Sequence, residues 1–303
     1  MQLVANAWGV KKGIMRRKIL IGLSIAALVG TLVTVLVLAQ HAQPSTDIMA
    51  GSSLITNIIQ DVADGKMETR TLIPPGVCPG HYDIKPSDIE ALANSKALFI
   101  HDYQQSFQNI SGAIEAAENP DLIITVLNVT GNWMVPSVQA EAVDKIAQAL
   151  GEIDPENAAY YQERAAERAQ AILAKGEKVV EDRLSGAGLE EVKVICAAMQ
   201  EGFVRWVGFD VVATYGRPED LTPAEMKELI DTAKEAGVAL VIDNLQSGTA
   251  TLGAAMEQDI EAISVTISNF PGGLENTETW EKAIDKNVDL LLEALNEWEE
   301  QYG

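Results

Sequence analysis

Histidine and cysteine are almost missing from this sequence. Of 303 residues only three are His (His41, His81 and His101) and two are Cys (Cys78 and Cys196). No paired-His zinc motif of the hydrolase kind occurs, nor a Gly-x-Ser-x-Gly elbow, nor a Gly-rich loop built to cradle phosphate, and the chain is read as a non-enzyme. Aromatic residues are 5% of the chain, and basic residues number 22 against 44 acidic ones, for a net charge of −22. That leaves neither a stacking platform nor a positive field for nucleic acid, and it repels anionic lipid headgroups. The negative excess serves solubility and can raise the local concentration of cations. No tandem repeat of 20–50 residues is present. Two Cys allow one disulfide at most in an exported protein. Their separation in sequence leaves it open whether Cys78 and Cys196 are bonded.

Acidic residues are also absent from residues 1–43, where Lys11, Lys12, Arg16, Arg17 and Lys18 precede an uncharged run, Ile19 to Ala39. A spanning helix needs about 20 apolar residues and a signal-peptide core about 7–15. The run is long enough to persist as an anchor, and Val37-Leu38-Ala39 is a passable cleavage site. No Cys lies here, which excludes a lipoprotein-type attachment at this point. Basic residues on the N-terminal side put that end in the cytoplasm and the body outside the membrane, anchored or secreted after cleavage.

After Thr46 the pattern alternates between strand and helix. Leu54, Ile55, Ile58, Ile59 and Val62 fall on one helical face. "METRTLIP" reads as a strand, "PSDIEALANS" as a helix with Ser87 as N-cap and Glu90 completing a capping box, and "KALFIH" as a short strand ending at His101. A helix, the strand "LIITVL" and another helix follow. From Asp154 and Pro155 helix formers run to Leu184 with one interruption, Gly176, long enough to bridge two domains as a stiff spine. "EVKVICAAM", "VALVIDN" and "AISVTIS" read as strands. Thr222, Pro223 and Glu225 open a helix between the first two, "TATLGAAMEQD" reads as helical, and "NTETWEKAIDKNVDLLLEALNEWEEQ" is a terminal helix. The pattern predicts an α/β protein of two lobes, each a mostly parallel sheet flanked by helices, joined by one long rigid helix. The expected divisions are 1–43 (signal or anchor), 44–152 (N-terminal lobe), 153–187 (spine) and 188–303 (C-terminal lobe).

Over residues 47 to 302 this layout resembles the extracytoplasmic solute-binding proteins of metal-ion ABC importers, the zinc/manganese type with a helical spine. "GHYDIKPSDIEAL" is similar to that family's Asp-Pro-His-x-Tyr-x-x-x-Pro-Ser-Asp signature. "NWMVPSVQAEAVDKIAQALGEIDPENAAYY" is similar to its second signature and the start of its spine. "LTPAEMKELIDTAKEAGVALVIDNLQ" and "WEKAIDKNVDLLLEAL" resemble its C-terminal lobe.

The resemblance implies a monomeric receptor that captures a divalent metal ion (zinc, manganese or iron) between the lobes, and an ABC permease and ATPase as partners. It carries the family's first ligand His to His81, with Cys78 three residues before it as a soft neighbour, read equally as a free or bonded Cys. Gly131 stands where the second His belongs, leaving Asn132 as the nearest polar side chain. Gln200 or Glu201 fills the third position, with Cys196 and Met199 as softer candidates on opposite faces if the strand continues. Ser268 and Asn269 fill the fourth. Asp243 is the closest carboxylate, read equally as a cap, and His101 is expected near the cleft. One expectation is a rearranged ion site of Cys78, His81, Glu201 and Asp243. The other is a pocket for a metal chelate or other small molecule, walled by Trp133, Phe203 and Trp206 with Arg205 as its charge. A surface adhesin on the same fold is a third possibility.

Overall fold

The computed structural model describes residues 47–248, 252–256 and 259–303. The N-terminal basic and apolar segment, with His41, lies outside them. Among the described residues no helix is long and apolar enough to cross a membrane.

Two sheets form, each of four parallel strands. The first contains β1 (Ile48–Ala50), β2 (Thr69–Thr71), β3 (Ala97–His101) and β4 (Ile123–Leu127), in the order β2-β1-β3-β4. The second contains β5 (Lys193–Ala197), β6 (Asp210–Tyr215), β7 (Leu240–Asn244) and β8 (Ile263–Ile267), in the order β6-β5-β7-β8. Parallel neighbours need crossovers, and helices supply them. β3 and β7 are buried along their whole length, which is why both read as apolar runs rather than alternating ones.

The helices follow their spacing. In α1 (Ser53–Ala63) the five apolar residues of the expected face are all buried, and Ser52 caps the start by accepting from the Ile55 N–H at 3.4 Å. In α2 (Pro86–Asn94) the cap is Lys85, not Ser87. Pro86 takes the first helical position, where no N–H is needed. Asp88, rather than Glu90, reaches back to the Lys85 N–H at 3.2 Å, and Arg70 pins it at 2.5 Å. α3 (Gln108–Ala117) precedes β4. α4 (Pro136–Ile153) then packs along α5 (Ala158–Val179). A tight turn, Pro155–Asn157, leads into α5 and a wide π turn, Val180–Leu184, extends it, so the helical run ends at the expected Leu184. Gly176 does not interrupt it. A Cβ there would stand 2.4 Å from Pro136 Cγ, so Gly is what lets α5 approach α4.

Residues 201–215 supply two elements that the pattern does not announce: α6 (Glu201–Val207) and β6. α7 (Pro223–Ala236) has the expected box, with Thr222 Oγ1 accepting from the Glu225 N–H at 3.3 Å and Glu225 accepting from the Thr222 N–H at 2.8 Å. α8 (Leu252–Met256) and the terminal α9 (Trp280–Tyr302) complete the fold. One core cluster runs through both sheets and the spine, and Trp280 Nε1 donates to the Trp133 carbonyl at 3.1 Å. On the spine, Arg168 meets Asp61 and Glu281, and Lys175 meets Asp285 at 2.6 Å.

Candidate functional site

Open parallel sheets present ligands to the C-terminal ends of their strands. The ends of β3, β5, β7 and β8 converge here on a cleft with two adjoining chambers, of about 330 Å³ and 380 Å³. Tyr103, Ala198, Met199, Asn269 and Phe270 line both.

His101 lies in the smaller chamber, buried at the end of β3. Its Nε2 is 2.8 Å from Ser52 Oγ, Trp133 meets its ring edge-on, and Tyr103 stacks on it. Burial pushes its pKa down to about 3, so the imidazole is neutral at any ordinary pH. Asn132 shares this chamber, donating to the Met199 carbonyl at 2.8 Å and to Asn269 Oδ1 at 2.7 Å. Glu201 also lines it, paired with Arg205 one turn on at 2.9 Å.

The floor between the lobes is a set of amides. Gln200, fully buried, donates to Asn244 Oδ1 at 3.0 Å, and Gln246 Oε1 accepts from the Asn269 N–H at 3.0 Å. Gln246 Nε2 donates to Ser268 Oγ at 2.9 Å and to the Pro75 carbonyl of the first lobe at 2.6 Å. Apart from Gln200 Oε1, which is buried without a partner, these neutral amides engage one another and offer a bare cation little in return for its hydration shell.

The expected ion site does not assemble. Asp243 faces away from the cleft: it is 3% exposed and accepts from the Leu252 and Gly253 N–H groups at 2.9 and 3.2 Å and from the Tyr215 hydroxyl at 2.7 Å. It is a cap for α8. Cys196 is buried in the core, where burial and then the nearby Glu201 charge push its thiol up to about 12, so no thiolate is on offer. β5 ends at Ala197, so the alternation expected to separate Cys196 from Met199 stops before Met199, which lines both chambers. Cys78 and Cys196 are both free thiols. His81 lies exposed at the rim beside Cys78, and both are held by Arg217 from the second lobe. Among the described residues no group of three or more His, Cys, Asp or Glu is placed to hold a metal ion.

Of the expected apolar wall only Trp133 lines the cleft. Phe203 is buried in the core, and Trp206 sits in a separate groove beside Gly176. Arg205 donates to Glu201 and to the Val211 carbonyl, outside both chambers. Tyr103, Phe107, Phe270 and Arg217 occupy the places assigned to them. Their signal is position: Tyr103 and Phe107 follow β3, Phe270 follows β8, and Arg217 follows β6. The last is hidden in the sequence because β6, only partly buried, shows no clear period.

The first signature also shifts by one residue. Tyr82, Pro86, Ser87 and Asp88 keep its spacing, and counted from them its His falls on Gly80, not His81. A Cβ at Gly80 would face the Phe107 ring at 3.5 Å. Gly131, at the second His position, has φ +113°, and a Cβ would lie 3.2 Å from Val138. A His there would be both crowded and in strained backbone. The four positions of the resemblance therefore carry Gly, Gly, Gln or Glu, and Ser or Asn, among which only Glu is a strong donor for a divalent ion.

The profile of the zinc-uptake complex component A family, described as periplasmic, matches residues 48–294. The manganese-binding lipoprotein MntA of Halalkalibacterium halodurans is 20% identical over 266 residues, covering 82% of this chain and 88% of the relative. Among solved structures, the solute-binding protein FpvC of Pseudomonas aeruginosa in complex with Mn²⁺ superposes with a TM-score of 0.69 at 20% identity, covering 82% of this chain and 98% of that one. A zinc-bound ZnuA deletion mutant superposes with 0.66 at 19% identity, with coverage of 82% and 98%. With the profile spanning most of the chain, the protein belongs to the zinc-uptake complex component A family of solute-binding proteins.

Proposed function

We propose that the protein is the extracytoplasmic solute-binding receptor of an ABC importer, handing its cargo to a membrane permease driven by an ATPase. Family membership and the strand-end cleft support this reading. The lobes are residues 44–152 and 188–303, joined by 153–187, and residues 1–43 export the receptor and anchor it unless cleaved. Relatives are described as bound to manganese or zinc. The cargo proposed here is a divalent transition metal (zinc, manganese or iron) carried inside a complex rather than as a bare ion. The observation behind that choice is Gly80 and Gly131 where the resemblance places the two His residues, above a floor of neutral amides.

A second reading has one observation in its favour. Cys78 and His81 sit on one turn and both reach Arg217, so a bare ion could take the place of the guanidinium. Calorimetry of the reduced protein separates the two. On the complex reading, Zn²⁺, Mn²⁺ and Fe²⁺ as free ions bind no tighter than about 10 µM, while the citrate complex of at least one of them gives a saturable 1:1 isotherm. A tight 1:1 isotherm with free Zn²⁺ that is lost in His81→Ala would reverse the choice. An idle cleft in every titration would point to adhesion instead.

A further inference from the structure

The larger chamber contains a charge that the receptor reading leaves unexplained. Its walls are apolar, formed chiefly by Pro79, Tyr103, Phe107, Met199 and Phe270. Arg217 is the one charged side chain among its described lining residues. The Arg217 side chain is 27% exposed, so its guanidinium loses part of its hydration against these walls, and a strong partner would offset that loss. The partners present are weak ones. Nη2 donates to Cys78 Sγ, and Nη1 lies 3.2 Å and 3.0 Å from the two ring nitrogens of His81. The carboxylate of Glu219 is 3.7 Å away and its side chain is 43% exposed. A guanidinium presents five N–H donors in a planar fork, and its best acceptor is a planar or tetrahedral oxyanion. A thiol and an imidazole leave most of that capacity unused.

We infer that the Arg217 chamber binds an organic anion, with its acidic group on the Arg217 fork in place of the His81 ring and its flat apolar body against Phe107, Met199 and Phe270. The inference rests on the receptor reading and gives the carried complex its chemistry: a ligand shell that is both acidic and apolar. A chamber of about 380 Å³ accepts a body of two fused rings or similar bulk. Long-range steering opposes such a ligand, because the chain carries −22. Recognition is therefore local, and association should speed up as salt screens the repulsion.

The test uses a matched pair of fluorescent probes on the intact protein: anilinonaphthalene sulfonate, an anion, and N-phenyl-1-naphthylamine, its neutral counterpart. The anion should bind the wild type more tightly. Arg217→Gln should weaken the anion roughly tenfold to a hundredfold and leave the neutral probe unchanged, with Arg217→Lys between. Thermal melts of each variant confirm the fold. Equal affinity for the two probes, or an anion affinity indifferent to Arg217→Gln, overturns the inference, as does failure of both probes to bind. Free and zinc-loaded 8-hydroxyquinoline-5-sulfonate then separate the inference from the reading it rests on. Preference for the loaded form supports both. Equal affinity keeps the anion site and overturns the metal-complex cargo.

Discussion

At Gly80 and Gly131, where the resemblance places the family's two His residues, there is no side chain, and Gly131 holds a backbone conformation that His adopts only under strain. His101 remains, but burial and its contact with Ser52 commit it to the fold. Its pKa falls from 6.5 to about 3 on folding. The unfolded chain therefore takes up a proton below pH 6.5 that the folded chain refuses. The stabilisation is complete above pH 6.5 and is lost as pH falls from there towards 3. His101→Gln, which keeps a neutral partner for Ser52, should remove that part of the acid sensitivity. Urea midpoints followed from pH 7 to 5 should show wild type losing about 2 kcal/mol more than the variant by pH 5. Parallel acid limbs would mean that His101 is charged in the folded protein.

At the scale of elements, two glycines inside helices make opposite predictions. Replacing Gly by Ala in a helix interior is worth about 1 kcal/mol in propensity. Gly112 in α3 has open space around it, so Gly112→Ala should stabilise by roughly that amount. At Gly176 the new methyl would meet Pro136 at 2.4 Å, and overpacking of this kind costs about 1–3 kcal/mol. Gly176→Ala should therefore lower the melting temperature while Gly112→Ala raises it, a difference in sign that one calorimetric scan per variant reads directly. The same contrast marks what periodicity can convey. The long runs of α1, α5 and α9 were legible because apolar residues recur over several turns. α6 has seven residues and β6 is only partly buried, so neither shows a clear period. Arg217, which follows β6 into the larger chamber, is therefore not legible as a cleft residue from periodicity.

For the whole molecule, the back of the cleft is tied by charges and the front by amides. Arg168 on the spine contacts Asp61 of the first lobe at 2.7 Å and also Glu281 of the second. Burial raises the Asp61 pKa against the pull of Arg168, so the guanidinium is what keeps that carboxylate tolerable. Arg168→Met should cost on the order of 1–3 kcal/mol at neutral pH, reduced from the fully buried case because both carboxylates are partly exposed. Asp61 has its pKa raised by burial, and Glu281 has its pKa lowered, burial being outweighed by the bond and charge of Arg168. The deficit should therefore shrink as pH falls, with Asp61 protonating first, and denaturant titrations at pH 7 and pH 4 would show it. The two-lobed architecture was readable in the alternation of strands and helices. The site was not: His81 lies one residue off the signature's His, Asp243 is only the nearest carboxylate, and sequence does not say which way a side chain points. Asp243 turns under its sheet to cap α8, and only the folded chain reveals that.

The amide floor has a consequence for the conditions under which cargo is held. Asn132, Gln200, Asn244, Gln246 and Asn269 neither gain nor lose protons between pH 4 and pH 10. A pocket floored by imidazole and carboxylate surrenders its metal on acidification, because the proton competes for the same lone pairs. Here no such competitor exists on the floor, and the one imidazole among the cleft linings, His101, is already held neutral by burial. The amide floor itself therefore gives acidification nothing to titrate, and any release of cargo at low pH would trace to groups other than the floor.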